Sequence, residues 1–328
     1  MGAVETLEIL IPGPLTTVQD CGRFGFGGYG VPPSGAVDPF SLRVGNLLVG
    51  NRENEASLEI TIIGPKIIAL IDTLIAITGA DLQPKVNEIP LEMWRSQLLK
   101  KDDILSFKAP KSGCRAYLAI GGGISVQSIM GSKSTNLAAQ FGGLEGRPLR
   151  KGDIISSDSP ARYLKAVGKS LDKARIPSYP KNQVLRVISG PQDDHFSTKA
   201  KKIFLGSPFQ VTPQSDRTGI RLAGPQIEAK KNLKGSIISE GVVSGTIQIP
   251  GDAQPIIILG ETVTGGYRKI ATVISADLPL VGQLKPGDSV NFRKVSMDEA
   301  YKAVQKIEGR VRPRGVGRLP SLTFNNSP

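Results

Sequence analysis

The strongest constraint on the fold is residues 239–277, where short apolar segments alternate with glycine-rich polar turns. Residues 246–249 alternate polar and apolar side chains, and residues 256–259 and 270–274 are mostly apolar, so each segment predicts a β-strand. The glycines in the intervening turns allow a ligand or another segment to approach the backbone closely. The pattern predicts β-sheet with a candidate binding surface at its turns.

The rest of the chain extends this prediction to a mainly β fold with a few short helices. The 328 residues include 38 glycines and 24 prolines, and the apolar runs are short, so turns are frequent. A chain of this length accommodates two domains. We expect an N-terminal domain over residues 1–182 and a C-terminal domain over residues 183–308. Residues 309–328, rich in Arg, Gly and Pro, are expected to form a disordered basic tail.

Three segments show helical signals. In residues 38–50 apolar side chains recur at helical spacing, and an aspartate precedes a proline at the first helical position. Residues 161–172 are also interpreted as a helix. Residues 296–307 begin with Ser296 and Glu299, which are spaced as a capping box.

Composition argues against several classes of protein. The longest apolar stretch, residues 58–80, is interrupted by charged residues and proline, so no membrane span is expected. The N-terminus lacks the basic and apolar regions of a signal peptide, which predicts a cytoplasmic protein. Cys21 and Cys114 are too few for a disulfide framework, and His195 is the only histidine, so no metal site is predicted.

The net charge of +12 does not by itself indicate a nucleic-acid partner. Much of the positive charge lies in residues 161–181 and in the C-terminal tail. Aromatic residues make up only 5% of the chain, and no basic segment carries the aromatic side chains that stack on bases. We therefore expect no nucleic-acid partner.

Two pairs of segments resemble each other between the halves of the chain. Residues 19–25 read QDCGRFG and residues 214–219 read QSDRTG, so each has an aspartate and an arginine beside glycine. Each is followed by a similar turn, at residues 30–35 and 241–245. This similarity predicts two related β-barrel halves.

Several longer motifs, in this order, resemble the biotin-dependent carboxyltransferase family that includes allophanate hydrolase subunit 2 and the C-type subunit of 5-oxoprolinase. They are PGPLTTVQDCGRFGFGGYGVPPSGAVD, LVGN, LEIT, ITGAD, RAYLAIGGGI, GSKST, SDRTGIRLAG and the 239–277 run. The resemblance covers residues 7–305. It implies a cyclophilin-like β-barrel architecture in two subdomains, paired with a partner subunit that is also of β-barrel type.

Within this family the chain most resembles the 5-oxoprolinase branch, which also includes antagonists of a kinase inhibitor, and this implies one part of a multi-subunit enzyme. That enzyme would use ATP to convert 5-oxo-L-proline to L-glutamate together with A-like and B-like subunits, and this chain would be inactive alone. One alternative is a carboxyltransferase subunit acting on urea or a similar amide. It would need carboxybiotin on a separate carrier, since the chain has no Met-Lys-Met attachment motif. The other alternative is a regulatory protein that antagonises a B-like kinase inhibitor.

Opening a resonance-stabilised lactam with ATP develops negative charge, which calls for cationic and backbone donors. The catalytic candidates are Lys269, Arg217 and Glu240. The substrate-binding candidates are Ser34, Gln248, Gln254, Thr264, Gly265, Gly266 and Tyr267. The anion-binding candidates are Arg23, Lys133, Ser134 and Arg221, where the GSKST segment offers a lysine, hydroxyls and backbone amides. Structural pairing of the arginines with nearby carboxylates is the competing interpretation.

Overall fold

The computed structural model describes residues 2–230, 233 and 236–311. Its strands in chain order are β1 (Ala3–Ile11), β2 (Leu15–Gln19), β3 (Ser57–Thr61), β4 (Lys66–Ala69), β5 (Thr73–Asp81), β6 (Lys85–Val86), β7 (Ile89–Pro90), β8 (Ser96–Leu99), β9 (Ile104–Ser106), β10 (Ser112–Ile120), β11 (Ile154–Asp158), β12 (Asn182–Ser189), β13 (Phe209–Val211), β14 (Gly219–Ala223), β15 (Glu240–Gly241), β16 (Thr246–Ile249), β17 (Ile256–Ile258), β18 (Thr264–Gly265), β19 (Arg268–Val273) and β20 (Ser289–Lys294). The α-helices are α1 (Pro39–Val49), α2 (Thr198–Gly206), α3 (Leu278–Gly282) and α4 (Met297–Val311).

The first half of the chain forms two sheets packed face to face. One has the order β11-β1-β4-β9-β6-β7 and the other β2-β3-β10-β5-β8. Strand β5 lies inside the second sheet, and its apolar sequence is buried at eight of nine positions. Leu7 and Ile9 from the first sheet share one core with Ile75, Ile77 and Leu118 from the second. Each such side chain contributes about 1.5–3 kcal/mol on burial, so this core holds the two sheets together.

Helix α1 begins and ends as its sequence predicts. The Asp38 carboxylate accepts a hydrogen bond from the Ser41 backbone N–H at 3.0 Å, and Pro39 occupies the first helical position. Gly50 ends the helix in the left-handed conformation, with φ of 88°. The buried face, which includes Val44, packs on the side of β5 that faces away from the first sheet. The loop that precedes this helix, residues 21–38, lies beside the second half of the chain.

The second half is a closed barrel with the strand order β12-β19-β16-β17-β14-β13-β20. Strand β12 pairs with β20 in parallel and so closes the ring. Alternate residues Leu185 and Val187 on β12 are buried inside it. Phe204 of α2 stacks on Phe292 with ring centroids 4.5 Å apart, and Phe209 packs against both rings. The barrel therefore has its own apolar core.

Helix α4 follows the barrel and returns to the first half. Ser296 N–H donates to the Glu299 carboxylate at 2.8 Å, and Glu299 N–H donates to Ser296 Oγ at 3.2 Å, which confirms the predicted capping box. The helix continues to Val311. Near its end Glu308 pairs with Arg43 of α1 at 2.6 Å. The last helix thus ties the barrel to the two-sheet half.

The mainly β prediction is confirmed, as are the three strands expected within residues 239–277, which are β16, β17 and β19. The helix predicted over residues 161–172 is wrong. Pro160–Ala166 is a 3-10 helix, and Gly168 has a φ of 87°, which is incompatible with a continuing helix. Residues 312–328, the greater part of the predicted tail, lie outside the described residues. No helix within the described ranges is long and apolar enough to cross a membrane.

Candidate functional site

A cavity of about 720 Å³ lies between the two halves of the molecule. The first half contributes the loop within residues 21–39, and the barrel contributes residues 242–244, 259–263 and 272–278. One face of α4 completes the wall. Cavities of this size, placed where two structural units meet, are typical ligand sites, so we take this cavity as the candidate site.

Arg23 lines this cavity and is held in a fixed position. Its side chain is 2% exposed, its Nη2 donates to the Ser134 carbonyl at 2.5 Å, and its guanidinium lies 4.6 Å from the centroid of the Phe141 ring. Gly142, with φ of 72°, leaves room for this arrangement, since a Cβ there would overlap the Ser134 carbonyl. Among the described residues, Arg23 Nε and Nη1 have no hydrogen-bond partner. The cavity wall therefore contains a buried cation with unused donors.

The GSKST segment, predicted to bind an anion, surrounds the carboxylate of Asp20 in this structure. Asp20 accepts hydrogen bonds from Ser132 Oγ at 2.6 Å, from Ser134 Oγ at 2.5 Å and from the Lys133 backbone N–H at 2.6 Å. Lys133 Nζ donates to the Ile124 carbonyl at 3.0 Å. These bonds fix the segment and, with it, the Ser134 carbonyl that accepts the hydrogen bond from Arg23 Nη2.

Arg217 also lines the cavity, but each of its nitrogens is bonded. It forms an ion pair with Glu59 of the first half and one with Glu261 at 2.9 Å, and its Nη2 donates to the Gly35 carbonyl at 2.7 Å. Tyr117 Oη donates to the other oxygen of Glu59 at 2.7 Å. We call Arg217, Glu59, Glu261, Gly35 and Tyr117 the junction network. It joins the barrel to the two-sheet half.

The charges around the cavity shift several pKa values. Burial raises the pKa of Glu59, but the charges of Arg217 and Arg115 outweigh it and hold that pKa below its ordinary value. Burial raises the pKa of Glu261, and its Oε2 has no hydrogen-bond partner within the described chain. Burial lowers the pKa of Arg23, against the opposing effect of nearby carboxylates. The ordinary arginine pKa is so high that Arg23 remains a cation at neutral pH.

Lys269 and Glu240, both predicted to be catalytic, lie together but do not line the cavity. Lys269 Nζ is 2.8 Å from the Glu240 carboxylate, and Gln192 binds both, through Nε2 to Glu240 at 3.2 Å and through Oε1 to the Lys269 backbone N–H. The hydrogen bond from Lys269 lowers the pKa of Glu240. We call this trio the ribbon latch, because it fastens the two-stranded ribbon β15-β18 to the barrel.

The glycine turn beside the ribbon accommodates another side chain of the protein. A Cβ on Gly265 would overlap the side-chain amide of Gln248, which is 4% exposed. The Gly266 carbonyl accepts a hydrogen bond from a backbone N–H of the same chain. Thr264 and Tyr267 are exposed. These predicted substrate-binding residues surround the ribbon latch rather than the cavity.

The remaining predicted residues divide in the same way. Ser34 lines the cavity, and its backbone N–H donates to the Gly260 carbonyl at 2.9 Å. Gln254 binds both backbone groups of Gly224 and so fastens a surface turn, while Arg221 is exposed on β14. Neither Gln254 nor Arg221 is part of the cavity wall.

The cavity thus brings together three of the predicted residues, Arg23, Ser34 and Arg217. Seven further polar or aromatic residues of its wall were not predicted: Cys21, Phe24, Ser244, Thr262, Thr272, Ser275 and Tyr301. Ser244 had a sequence signal, because it occupies the turn at residues 241–245 that matches the turn containing Ser34. Burial raises the pKa of the Cys21 thiol to about 11, so it is protonated at neutral pH.

Comparison with known proteins places this chain in a family. The family described as "Carboxyltransferase domain, subdomain A and B" matches residues 29–294. The chain is 36% identical to the C-type subunit of 5-oxoprolinase from Escherichia coli over 301 residues, which are 91% of this chain and 94% of that protein. It is 34% identical to the urea amidolyase of Lachancea kluyveri, over 96% of this chain and 18% of that protein.

A solved structure gives the same result. The crystal structure of the K. lactis urea amidolyase superimposes with a TM-score of 0.90 at 32% identity, over 98% of this chain and 21% of that one. The chain therefore spans about a fifth of each urea amidolyase that it matches. The resemblance to carboxyltransferase proteins found in the sequence is confirmed, and the chain belongs to the family of carboxyltransferase domains, subdomains A and B.

Proposed function

We propose that this chain is the C-type subunit of an ATP-dependent 5-oxoprolinase, which converts 5-oxo-L-proline to L-glutamate and needs its A-like and B-like subunits for activity. The observation that carries the proposal is the similarity to the Escherichia coli 5-oxoprolinase component along 94% of that protein. The urea amidolyases match over a far smaller share of their own length. The extent of this chain therefore corresponds to that of a separate 5-oxoprolinase subunit better than to that of a whole urea amidolyase.

The cavity supports a small polar substrate. Ser34, Ser244, Thr262 and Arg23 are among the residues that line it. The rest of the wall is mainly aliphatic, which lowers the local dielectric and strengthens polar contacts with a bound molecule. A lactam carries both a carbonyl acceptor and an N–H donor, which match such a wall. The cavity exceeds one lactam ring in size and leaves room for a group contributed by a partner.

The residues that the structure describes offer no evident site for a nucleoside triphosphate. The GSKST segment is committed to Asp20, and the described residues contain no cluster of His, Cys, Asp or Glu suited to a metal ion. We therefore propose that ATP binds to the partner subunits, one of them B-like, of the allophanate hydrolase subunit 1 type. Cys21 and Cys114 are both unpaired, which agrees with a complex in the reducing cytoplasm.

The second candidate function is carboxyl transfer to urea or a similar amide. The TM-score of 0.90 with the K. lactis urea amidolyase favours it. In that case biotin would arrive on a separate carrier protein, and the cavity would receive its carboxylated ring beside the amide.

The test is 5-oxoproline-dependent release of ADP and glutamate by the purified chain, alone and mixed with its A-like and B-like partners. Activity in the complete mixture, and none with any component omitted, is expected. A parallel reaction with urea, bicarbonate, ATP, a biotin carrier and a biotin carboxylase tests the second candidate. Carboxylation of urea with no turnover of 5-oxoproline would overturn the oxoprolinase proposal.

A further inference from the structure

The unused donors of Arg23 point to a specific feature of the ligand. A buried cation normally has a full set of partners, because desolvating it without them costs several kcal/mol. Arg23 is 2% exposed, yet only its Nη2 is bonded, and it forms no ion pair with any described carboxylate. Its position is nevertheless fixed by the Ser134 carbonyl and the Phe141 ring. The chain thus holds a guanidinium in place with two of its three nitrogens unbonded.

The charges of Asp20 and Glu261 act on Arg23 from nearby, but neither carboxylate forms a hydrogen bond or an ion pair with it. Asp20 is saturated by Ser132, Ser134 and the backbone N–H groups of Gly22 and Lys133. The second cation of the wall, Arg217, is neutralised by the two carboxylates of the junction network. Glu261 gives one of its oxygens to Arg217 and forms no ion pair with Arg23. Arg23 is therefore the cation of the cavity wall whose hydrogen-bond donors are not all used by described residues, and a ligand would reach them by a small shift of the surrounding side chains.

The geometry points to Arg23 as the residue that binds the carboxylate of the substrate, so we infer that the cavity selects small molecules that carry a carboxylate. Guanidinium N–H groups form strong charge-assisted hydrogen bonds with carboxylates, and the surrounding aliphatic wall strengthens them. This inference rests on the proposed function, because 5-oxoproline carries a carboxylate beside its lactam whereas urea has none. It assigns Arg23 to recognition of the substrate and not to the junction between the two halves.

The test compares 5-oxoproline with 5-oxoprolinamide, in which an uncharged amide of similar size replaces the carboxylate. Their affinities for the assembled complex are measured by titration calorimetry. In Arg23→Met we expect about a 10- to 100-fold loss of affinity for 5-oxoproline, the usual loss for a charged hydrogen bond, and no change for the amide. Arg23→Lys keeps the charge and should recover part of the loss. Arg221→Met removes an exposed arginine outside the cavity and is the matched control.

Equal losses for both ligands, or no loss for either, would overturn the inference while leaving the proposed function standing. If the wild-type complex binds neither ligand, the proposed function fails, and a simple carboxylate then tests Arg23 by itself. The 15N–1H signal of Arg23 Nε, assigned by its disappearance in Arg23→Lys, is followed during titration with acetate and with acetamide. A shift specific to acetate supports a carboxylate site, whereas equal responses to both overturn it.

Discussion

Two similar segments bring an arginine to the same cavity with opposite results. Residues 19–25 supply Arg23 and residues 214–219 supply Arg217, and both side chains are buried. Every nitrogen of Arg217 has a partner in the junction network, whereas Arg23 uses one nitrogen and leaves two unpaired. Burial in a cavity wall is therefore insufficient to identify a binding residue. The number of unused donors distinguishes the two roles.

The aspartates of the two segments behave more alike. Asp20 accepts hydrogen bonds from the segment that supports Arg23. Asp216 accepts from the backbone N–H groups of Thr218 and Gly219 and fixes the turn after Arg217. In both segments the carboxylate orders a turn instead of pairing with the neighbouring arginine. The partner that neutralises Arg217 comes from elsewhere, and Arg23 has no equivalent within the described chain.

The largest expected effect comes from breaking the junction network. Arg217→Met leaves Glu59 buried beside an apolar side chain, and we expect the free energy of unfolding to fall by about 3–5 kcal/mol. Denaturant unfolding measures it, with the exposed Arg221→Met as control. The double variant Arg217→Met with Glu59→Gln should lose less than Arg217→Met, since it removes the uncompensated charge. A loss below about 1 kcal/mol in the single variant would contradict a structural role.

A smaller effect on the free energy of unfolding is expected from a substitution that displaces Arg23. Gly142→Ala places a Cβ against the Ser134 carbonyl at a positive φ, and we expect a loss of about 1–3 kcal/mol in unfolding free energy. It should also weaken binding of 5-oxoproline, because Arg23 is displaced from its position over Phe141. Gly131→Ala is the control, since it has a similar φ but open space around it. Unchanged ligand affinity in Gly142→Ala would show that the position of Arg23 is unimportant.

The pH dependence of the free energy of unfolding tests whether the junction network holds Glu59 in its ionised form. The pKa of Glu59 is lower in the folded protein than its ordinary value of 4.5, so the unfolded chain takes up the proton first as the pH falls. The stability that Glu59 contributes is present above that value and is lost below it. Denaturant unfolding at several acidic pH values should show a slope that is smaller in Glu59→Gln by up to about 1.4 kcal/mol per pH unit. Identical slopes would mean that Glu59 is not held ionised by the junction network.

The smallest effect on stability is expected from the ribbon latch. Lys269→Met removes the ion pair with Glu240, whose side chain is half exposed, so global unfolding should change little. The ribbon itself should open more often, and hydrogen exchange at the Val242 amide, which donates to the Val263 carbonyl beside the ribbon, should accelerate. Lys269→Arg, which retains the charge, should exchange more slowly than Lys269→Met. Unaltered exchange in Lys269→Met would show that the latch does not hold the ribbon.

Sequence alone predicted those parts of the fold that depend on near neighbours. The start of α1 at Asp38 and that of α4 at Ser296 were predicted because a helix cap acts over three residues. The strands β16, β17 and β19 were predicted because their apolar residues are continuous or alternate. The helix predicted at residues 161–172 was wrong because the prediction gave no weight to Gly168, which has a positive φ just after the short 3-10 helix.

The candidate site was only partly predictable, because it depends on residues that are far apart in sequence. Whether Arg217 or Arg23 keeps unused donors depends on Glu59, which lies 158 residues from Arg217 in sequence. The glycine at position 265 was interpreted as space for a ligand, but the space is occupied by Gln248 from the neighbouring strand. Such partners are set by strand order and register, which short motifs do not specify.

The most direct test of this account is a parallel measurement on the Arg23→Met variant. Its free energy of unfolding is compared with that of the wild-type chain, and its 5-oxoproline-dependent ATP hydrolysis is measured in the complex with the A-like and B-like subunits. We predict a stability within about 1 kcal/mol of wild type and a kcat/KM at least about 10-fold lower. Wild-type activity in this variant, or a loss of activity accompanied by a comparable loss of stability, would contradict the assignment of Arg23 to the substrate.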